Sequence, residues 1–347
     1  MRKNLTVGLM VALIVLSLSF AASAADVVIR LGWAETQDPL SHQKSGAFAV
    51  FKDYVEQESG GEIEVRLYPA AQLGDAADML EQVQQGILEA CGSVPSGLLA
   101  GTYYSNMYIF DIPYLFSSNG VAWKTLRPEQ PFVRELSDDL AEKTGIRLLT
   151  FFVEGQRHFT NDVRPIESPE DMEGLRIRTM EVPAHQLMVR RLGASPTPVA
   201  WTELYTALQT GVVDGQENPI SNILYINAHE VQQYLTLDGH ITLLNTFLMN
   251  DNFYQSLSDD HRRIVDEAVQ MAAITNRGLS QVFDVQGLKE LENKGMEITA
   301  LTAEQLELFR EATQSDVVDF IRNEVEDETW VDRVLEEVAK AEELLGR

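Results

Sequence analysis

The chain has 347 residues, 27 of them Lys or Arg and 53 Asp or Glu, for a formal net charge of −26. A surface this acidic repels nucleic acid and anionic lipid, which argues against both as partners. Cys91 is the single cysteine, so an intramolecular disulfide is excluded and stability must come from a hydrophobic core.

Arg2 and Lys3 lead into an apolar run from Leu5 to Ala22, and Ala22-Ser23-Ala24 supplies small residues at its end. That is the pattern of a cleavable secretory signal peptide over residues 1–24; the alternative is a retained anchor. Removing Arg2 and Lys3 with the signal takes the net charge from −26 to −28. No later stretch reaches the ~20 apolar residues of a membrane-spanning helix. The remainder, about 323 residues, has the size of two domains. Cys91, between Ala90 and Gly92, reads as a buried inert thiol.

Asp26 to Trp33 reads as a first strand. Phe48, Phe51 and Val55 recur at helical spacing within residues 41–58, and Gly60-Gly61 stops that helix. Ile63-Glu64-Val65-Arg66-Leu67 alternates as a half-buried strand does, and residues 79–86 form a helix ending on Gly86. The alternation implies an open α/β sheet, a fold that binds ligands at the carboxyl ends of its strands. It resumes with a strand from Ile146 to Val153, and a second α/β domain begins near Glu154. Ser168-Pro169-Glu170-Asp171 reads as a helix start, residues 175–179 as a strand and 182–192 as a helix. An apolar stripe from Ile264 to Leu291 predicts a helix over about 258–293. Unbroken, its ~35 residues would span ~50 Å, enough to tie two lobes together, with Gly278 and Gly287 as candidate bends. Thr302-Ala303-Glu304-Gln305 opens one more helix with a capping box, and an amphipathic stretch covers 331–345.

None of the six histidines pairs with another His or Cys at metal-ligand spacing, so no metal site is expected. The chain carries no nucleophile elbow, phosphate-binding loop or dinucleotide fingerprint, so neither a cofactor nor catalysis is expected. Arg178 closes the short strand 175–179, where a guanidinium fork could take a carboxylate in bidentate fashion. A surface ion pair is the alternative, and Arg176 is assigned to it. Arg157, in Glu154-Gly155-Gln156-Arg157, follows a strand end and is ambiguous alone. Residues 193–219 place Pro196 and Pro198 before Trp201, a helix capped by Thr202 and ended by Gly211, then an Asp214-Gly215 turn ahead of Gln216-Glu217-Asn218-Pro219. By residue chemistry this run is either a wall of a ligand site or structural punctuation around a core tryptophan.

Gly193-Ala194-Ser195-Pro196-Thr197-Pro198, Leu208-Gln209-Thr210-Gly211 and Asp214-Gly215-Gln216-Glu217-Asn218-Pro219 resemble the signature of DctP-type solute-binding proteins of tripartite ATP-independent periplasmic (TRAP) transporters. Gln72-Leu73-Gly74, Ile112-Pro113-Tyr114 and Gly174-Leu175-Arg176-Ile177-Arg178 extend the resemblance over essentially the whole exported chain. It implies a two-lobed periplasmic binding protein with a hinge and a long helix spanning both lobes. Lobe I would hold residues 25–153 with about 244–283, and lobe II 154–243 with about 284–347. The resemblance implies that Arg178 forms the salt bridge to a ligand carboxylate, that Asn218 bonds the same group, that Trp201 packs on the ligand body and that Arg157 is a second contact. It matches Glu35 to an acidic residue that meets the cationic ring in ectoine binders. The implied partners are a small organic carboxylate and the small and large subunits of a membrane permease, and the implied location is the periplasm.

Two departures narrow the ligand. Many members carry a charged pair where this chain has Ala76-Ala77, and sialic-acid binders place Glu and Arg at the positions of Val94 and Gly97. A small organic or sugar acid is expected, with an ectoine-type zwitterion as the alternative. A ligand-sensing module and an exported enzyme are the rival functions.

Overall fold

The computed structural model describes residues 25–346; the expected signal peptide lies outside the described residues. The chain opens β1 (Val27–Gly32), α1 (Gln43–Glu58), β2 (Ile63–Tyr68), α2 (Ala76–Gln84), β3 (Ala90–Pro95). Helices α3 (Ser96–Thr102), α4 (Asn119–Thr125) and α5 (Pro131–Thr144) lead to β4 (Ile146–Asn161), a strand twice the length of its predicted core. Then come β5 (Arg176–Thr179), α6 (Pro183–Arg191), β6 (Ser195–Pro198), α7 (Leu204–Gln209), β7 (Gly215–Asn218) and α8 (Ile220–Tyr225). The chain ends with β8 (Tyr234–Asn250), α9 (Asp251–Ser256), α10 (Asp259–Asn293), β9 (Glu297–Ala300), α11 (Ala303–Glu324) and α12 (Thr329–Leu344).

The strands form one mixed sheet in the order β2-β1-β3-β8-β4-β7-β5-β6, with β9 beside β8. Two long antiparallel strands, β4 and β8, pair from Ile146↔Asn250 to Asn161↔Tyr234 and belong to both halves of this two-lobed molecule. β1, β2 and β3 lie on one side of the pair, and β5, β6 and β7 on the other. The register shifts between Val153 and Gly155 and again between Arg157 and Phe159. Such bulges bend a strand and re-aim its side chains, and here they stand where the sheet passes from one half to the other. Val153-Glu154 and Leu243-Leu244, the expected lobe borders, lie inside these unbroken strands.

Helix α10 is continuous through Gly278 and Gly287. Its first half buries Ile264, Val265, Ala268 and Ala272 against β1, α1 and Phe247. A Cβ on Gly287 would stand 2.8 Å from Ile220 and Leu224 side-chain atoms, so glycine there lets α8 lie close. Ser280 Oγ donates to Val153 O (3.2 Å), fastening the helix midpoint to the bulged strand. The helix therefore touches both halves of the molecule. Among the described residues, no helix is long and apolar enough to cross a membrane.

Two local expectations are corrected. Ser168–Asp171 has the capping-box bonds but opens only a single 3-10 turn, Pro169–Met172. Thr202 caps nothing: Trp201–Glu203 is a 3-10 turn that runs into α7, and neither start has a side-chain cap. A third stretch, Gln216-Glu217-Asn218, to which local patterning assigns no element, is the buried strand β7, paired with β4 along its length and with β5 at its start.

Candidate functional site

The five residues singled out in the sequence, Glu35, Arg157, Arg178, Trp201 and Asn218, all line one cavity. Its volume is about 90 Å³, room for several water-sized molecules. Ala76 and Ala77 also line the cavity, next to Asp75.

Arg178 comes from the carboxyl end of β5. Arg176, two residues back on the same strand face, reaches solvent and pairs with Asp214 while donating to Val212 O (3.0 Å), as assigned. Arg178 is 1% exposed. Its Nε donates to Val199 O (2.8 Å), its Nη1 has no hydrogen-bond partner, and it makes no ion pair among the described residues. Burial pulls its pKa down to about 10, with the Glu217 charge opposing and the Arg157 charge reinforcing that shift. A buried guanidinium without a counter-ion is a seat for an anion.

Arg157 lies within β4, past the bulge at Glu154, and not beyond a strand end as expected. It is equally buried but already paired. Its Nε meets Glu217 Oε2, while Nη2 donates to Glu217 Oε1 (2.8 Å) and Glu217 O (2.5 Å), leaving Nη1 unpartnered. Glu217 also meets His240 Nε2 (3.2 Å), whose Nδ1 lies 2.7 Å from Asp238 Oδ2. Burial alone would lower the His240 pKa; the charge and hydrogen bond of Asp238, then those of Glu217, raise it to about 9. His240 is thus a cation that donates from both ring nitrogens. Burial would raise the Glu217 pKa, but the Arg157 charge and the His240 hydrogen bond hold it well below the carboxylate range.

Asn218 ends β7, 2% exposed, donating from Nδ2 to Gln216 Oε1 (2.6 Å) and accepting from Asn222 Nδ2 (3.4 Å). Trp201 is half-buried, and its ring lies near-parallel to that of Tyr225, with centroids 6.5 Å apart and 14° between planes. Trp201 lines the cavity, where an indole offers a flat apolar face.

Glu35 is buried against Lys44, whose Nζ lies 2.8 Å from Glu35 Oε1 and 3.0 Å from Glu154 Oε1. Ser93 Oγ donates to Glu35 Oε2 (2.7 Å). Sequence reasoning missed Lys44, which lines the cavity from the first turn of α1, as well as Asn222 and the His240 relay. A lysine at a helix start looks like any solvated lysine, and only the fully buried run Gln43-Lys44-Ser45 marks it. Asn222 had a signal, four residues after Asn218 on the far side of Pro219. Among the described residues, no group of three or more His, Cys, Asp or Glu could hold a metal ion. Burial pushes the Cys91 thiol far above its ordinary pKa, which keeps it unreactive.

Comparison with known proteins places this geometry in a family. The family model described as bacterial extracellular solute-binding protein, family 7 (DctP), matches residues 34–323. The ectoine-binding periplasmic protein TeaA of Halomonas elongata is 33% identical over 286 residues, covering 80% of this chain and 81% of that protein. The sugar acid binding protein DctPAm of Advenella mimigardefordensis, solved with galactonate, superposes with a TM-score of 0.83 at 28% identity, over 90% of this chain and 98% of that one. A TRAP periplasmic solute-binding protein of Polaromonas, solved with D-erythronate, does so with a TM-score of 0.80 at 28% identity, over 89% and 98%. The chain belongs to the DctP family of bacterial extracellular solute-binding proteins, the solute-capturing components of TRAP transporters.

Proposed function

We propose that this protein captures a small organic or sugar acid in the periplasm, after cleavage of its signal peptide, and hands it unchanged to the small and large membrane subunits of a TRAP permease. The observation that carries the reading is Arg178: a guanidinium 1% exposed, at a cavity wall, with no carboxylate partner among the described residues. An acid entering the cavity supplies the missing counter-ion, with Asn218 beside it and Trp201 against the ligand body. The galactonate and D-erythronate complexes of the solved relatives support a sugar acid. Closing the two lobes, which we place at the β4 and β8 bulges, excludes water and strengthens the ion pair.

Removing one partner of a buried charge pair costs ~2–5 kcal/mol of binding. Arg178→Ala should therefore bind its acid about 30-fold or more weakly, measured by titration calorimetry after a thermal-shift screen of acids has found the ligand. Equal affinity in parent and variant would remove Arg178 from the site. An ectoine-type zwitterion is the second reading, favoured by Glu35 on the same cavity wall and by the likeness to TeaA.

A further inference from the structure

Lys44 is 2% exposed, and its ammonium is clamped between two buried carboxylates. Glu154 stands behind it. That residue is the one the β4 bulge leaves out of the ladder between Val153 and Gly155, and it is fully buried. Apart from the Lys44 ion pair, neither Glu154 oxygen has a partner among the described residues, so its charge serves to hold the ammonium in place. Glu35 stands beside it, at the cavity surface. Both Glu35 oxygens already have partners, Oε1 the ammonium and Oε2 the Ser93 hydroxyl. A cationic ligand group brought to Glu35 would find its place filled and would lie within a few ångströms of a like charge that burial screens poorly. A hydroxyl fits instead. An ammonium has three N–H donors, two of them turned to carboxylates here, and each Glu35 oxygen keeps a second lone pair.

The geometry points to Lys44 as the residue that sets which acids the cavity accepts: it occupies the cation seat beside Glu35, so the part of the ligand that meets Glu35 must carry hydroxyl groups and no positive charge. This rests on the reading of Arg178 as the carboxylate grip. Within it, polyhydroxy acids are the ligands and zwitterions of the ectoine kind are excluded, although Glu35 taken alone would invite them.

The cleanest variant is the double substitution Lys44→Gln with Glu154→Gln. It removes one positive and one negative charge together, so the net charge of the trio stays at −1 and only the occupant of the seat changes. Titration calorimetry of parent and variant with D-glucuronate, D-galactonate, D-erythronate and ectoine reads the outcome. The parent should take at least one sugar acid and reject ectoine. The double variant should lose at least tenfold in sugar-acid affinity and gain at least tenfold for ectoine, a change in preference of about a hundredfold. Lys44→Arg keeps a cation in the seat and should still reject ectoine; that prediction stands if the double variant fails to fold. Tight ectoine binding by Lys44→Arg, a preference within threefold of the parent's in the double variant, or a parent that prefers ectoine overturns the role of Lys44 and leaves Arg178 untouched. A parent that binds none of the four carboxylates overturns both.

Discussion

Arg157 and Arg178 are the same residue type, equally buried and on the same cavity, yet their surroundings make them opposite in effect. Arg157 is balanced by Glu217, so it holds the fold together, with one buried nitrogen left unpartnered among the described residues. Arg178 has no such partner among the described residues, and burial, which lowers its pKa, makes its charge oppose folding. Truncating one member of a buried ion pair leaves the other charge unpaired and costs ~3–5 kcal/mol of stability. Arg157→Ala should therefore unfold at markedly lower urea concentration than the parent. Arg178→Ala, in the ligand-free protein, should match or exceed the parent's midpoint. A midpoint for Arg157→Ala equal to that of the parent would mean that the Glu217 pair contributes nothing. The sequence could not separate these two arginines, because the carboxylate that does so lies 60 residues from Arg157 in the chain.

The central element is the β4–β8 ribbon, whose second strand brings His240, held by Asp238, against Glu217 and so keeps the Arg157 fork in place. His158 lies close by, and burial keeps it neutral by lowering its pKa to about 4. His240 has the opposite shift, from an ordinary 6.5 to about 9. A raised pKa gives stability that is complete below pH 6.5 and is lost as pH rises through 9; the shift corresponds to about 3 kcal/mol at most. Glu217, held low, adds stability present above its ordinary value of 4.5 and lost only on acidification below it. Urea melts between pH 6 and 9.5 should show the parent weakening by up to that amount. His240→Gln should be less stable at pH 6 and flatter above it, and an unchanged slope would count against the relay. Strand periodicity predicted only the first half of β4, since the stretch after Val153 carries Glu154, Gly155 and Arg157, and only pairing with β8 keeps Gly155 and Arg157 in the strand.

Across the whole molecule, the segment from Thr36 into the first turn of α1 meets α8. Thr36 N donates to Tyr225 Oη (3.0 Å), Gln43 Nε2 to Ser221 Oγ (3.3 Å), and His42 Nε2 lies 3.0 Å from Asn222 Oδ1. Lys44 N donates to His42 Nδ1 (3.2 Å), so Nε2 carries the proton and donates to Asn222, and burial keeps the ring neutral by lowering its pKa. These contacts join the two halves and, through Asn222, reach Asn218. A hydrogen bond contributes ~1 kcal/mol net, less where water competes. Tyr225→Phe with Ser221→Ala keeps the ring beside Trp201 but deletes two of the bonds. It should shift the balance toward the open form by up to ~10-fold, giving a larger radius of gyration by X-ray scattering without ligand and a proportionate loss of affinity. Identical scattering and affinity would dismiss the contacts as incidental.

Local patterning was enough for most elements. The spacing of Phe48, Phe51 and Val55, the capping box at Thr302 and the unbroken stripe from Ile264 to Leu291 each depend on neighbours within a few turns, and a resemblance carried by residues 193–219 pointed to the family and to five cavity residues. Counter-ions are another matter. Whether Arg178 is unpaired, Arg157 satisfied or Lys44 held by Glu154 as well as by nearby Glu35 depends on carboxylates brought from distant strands by the sheet order β3-β8-β4-β7-β5. Charge pairing acts through space at a few ångströms, and nothing in local periodicity encodes which distant residue will arrive there.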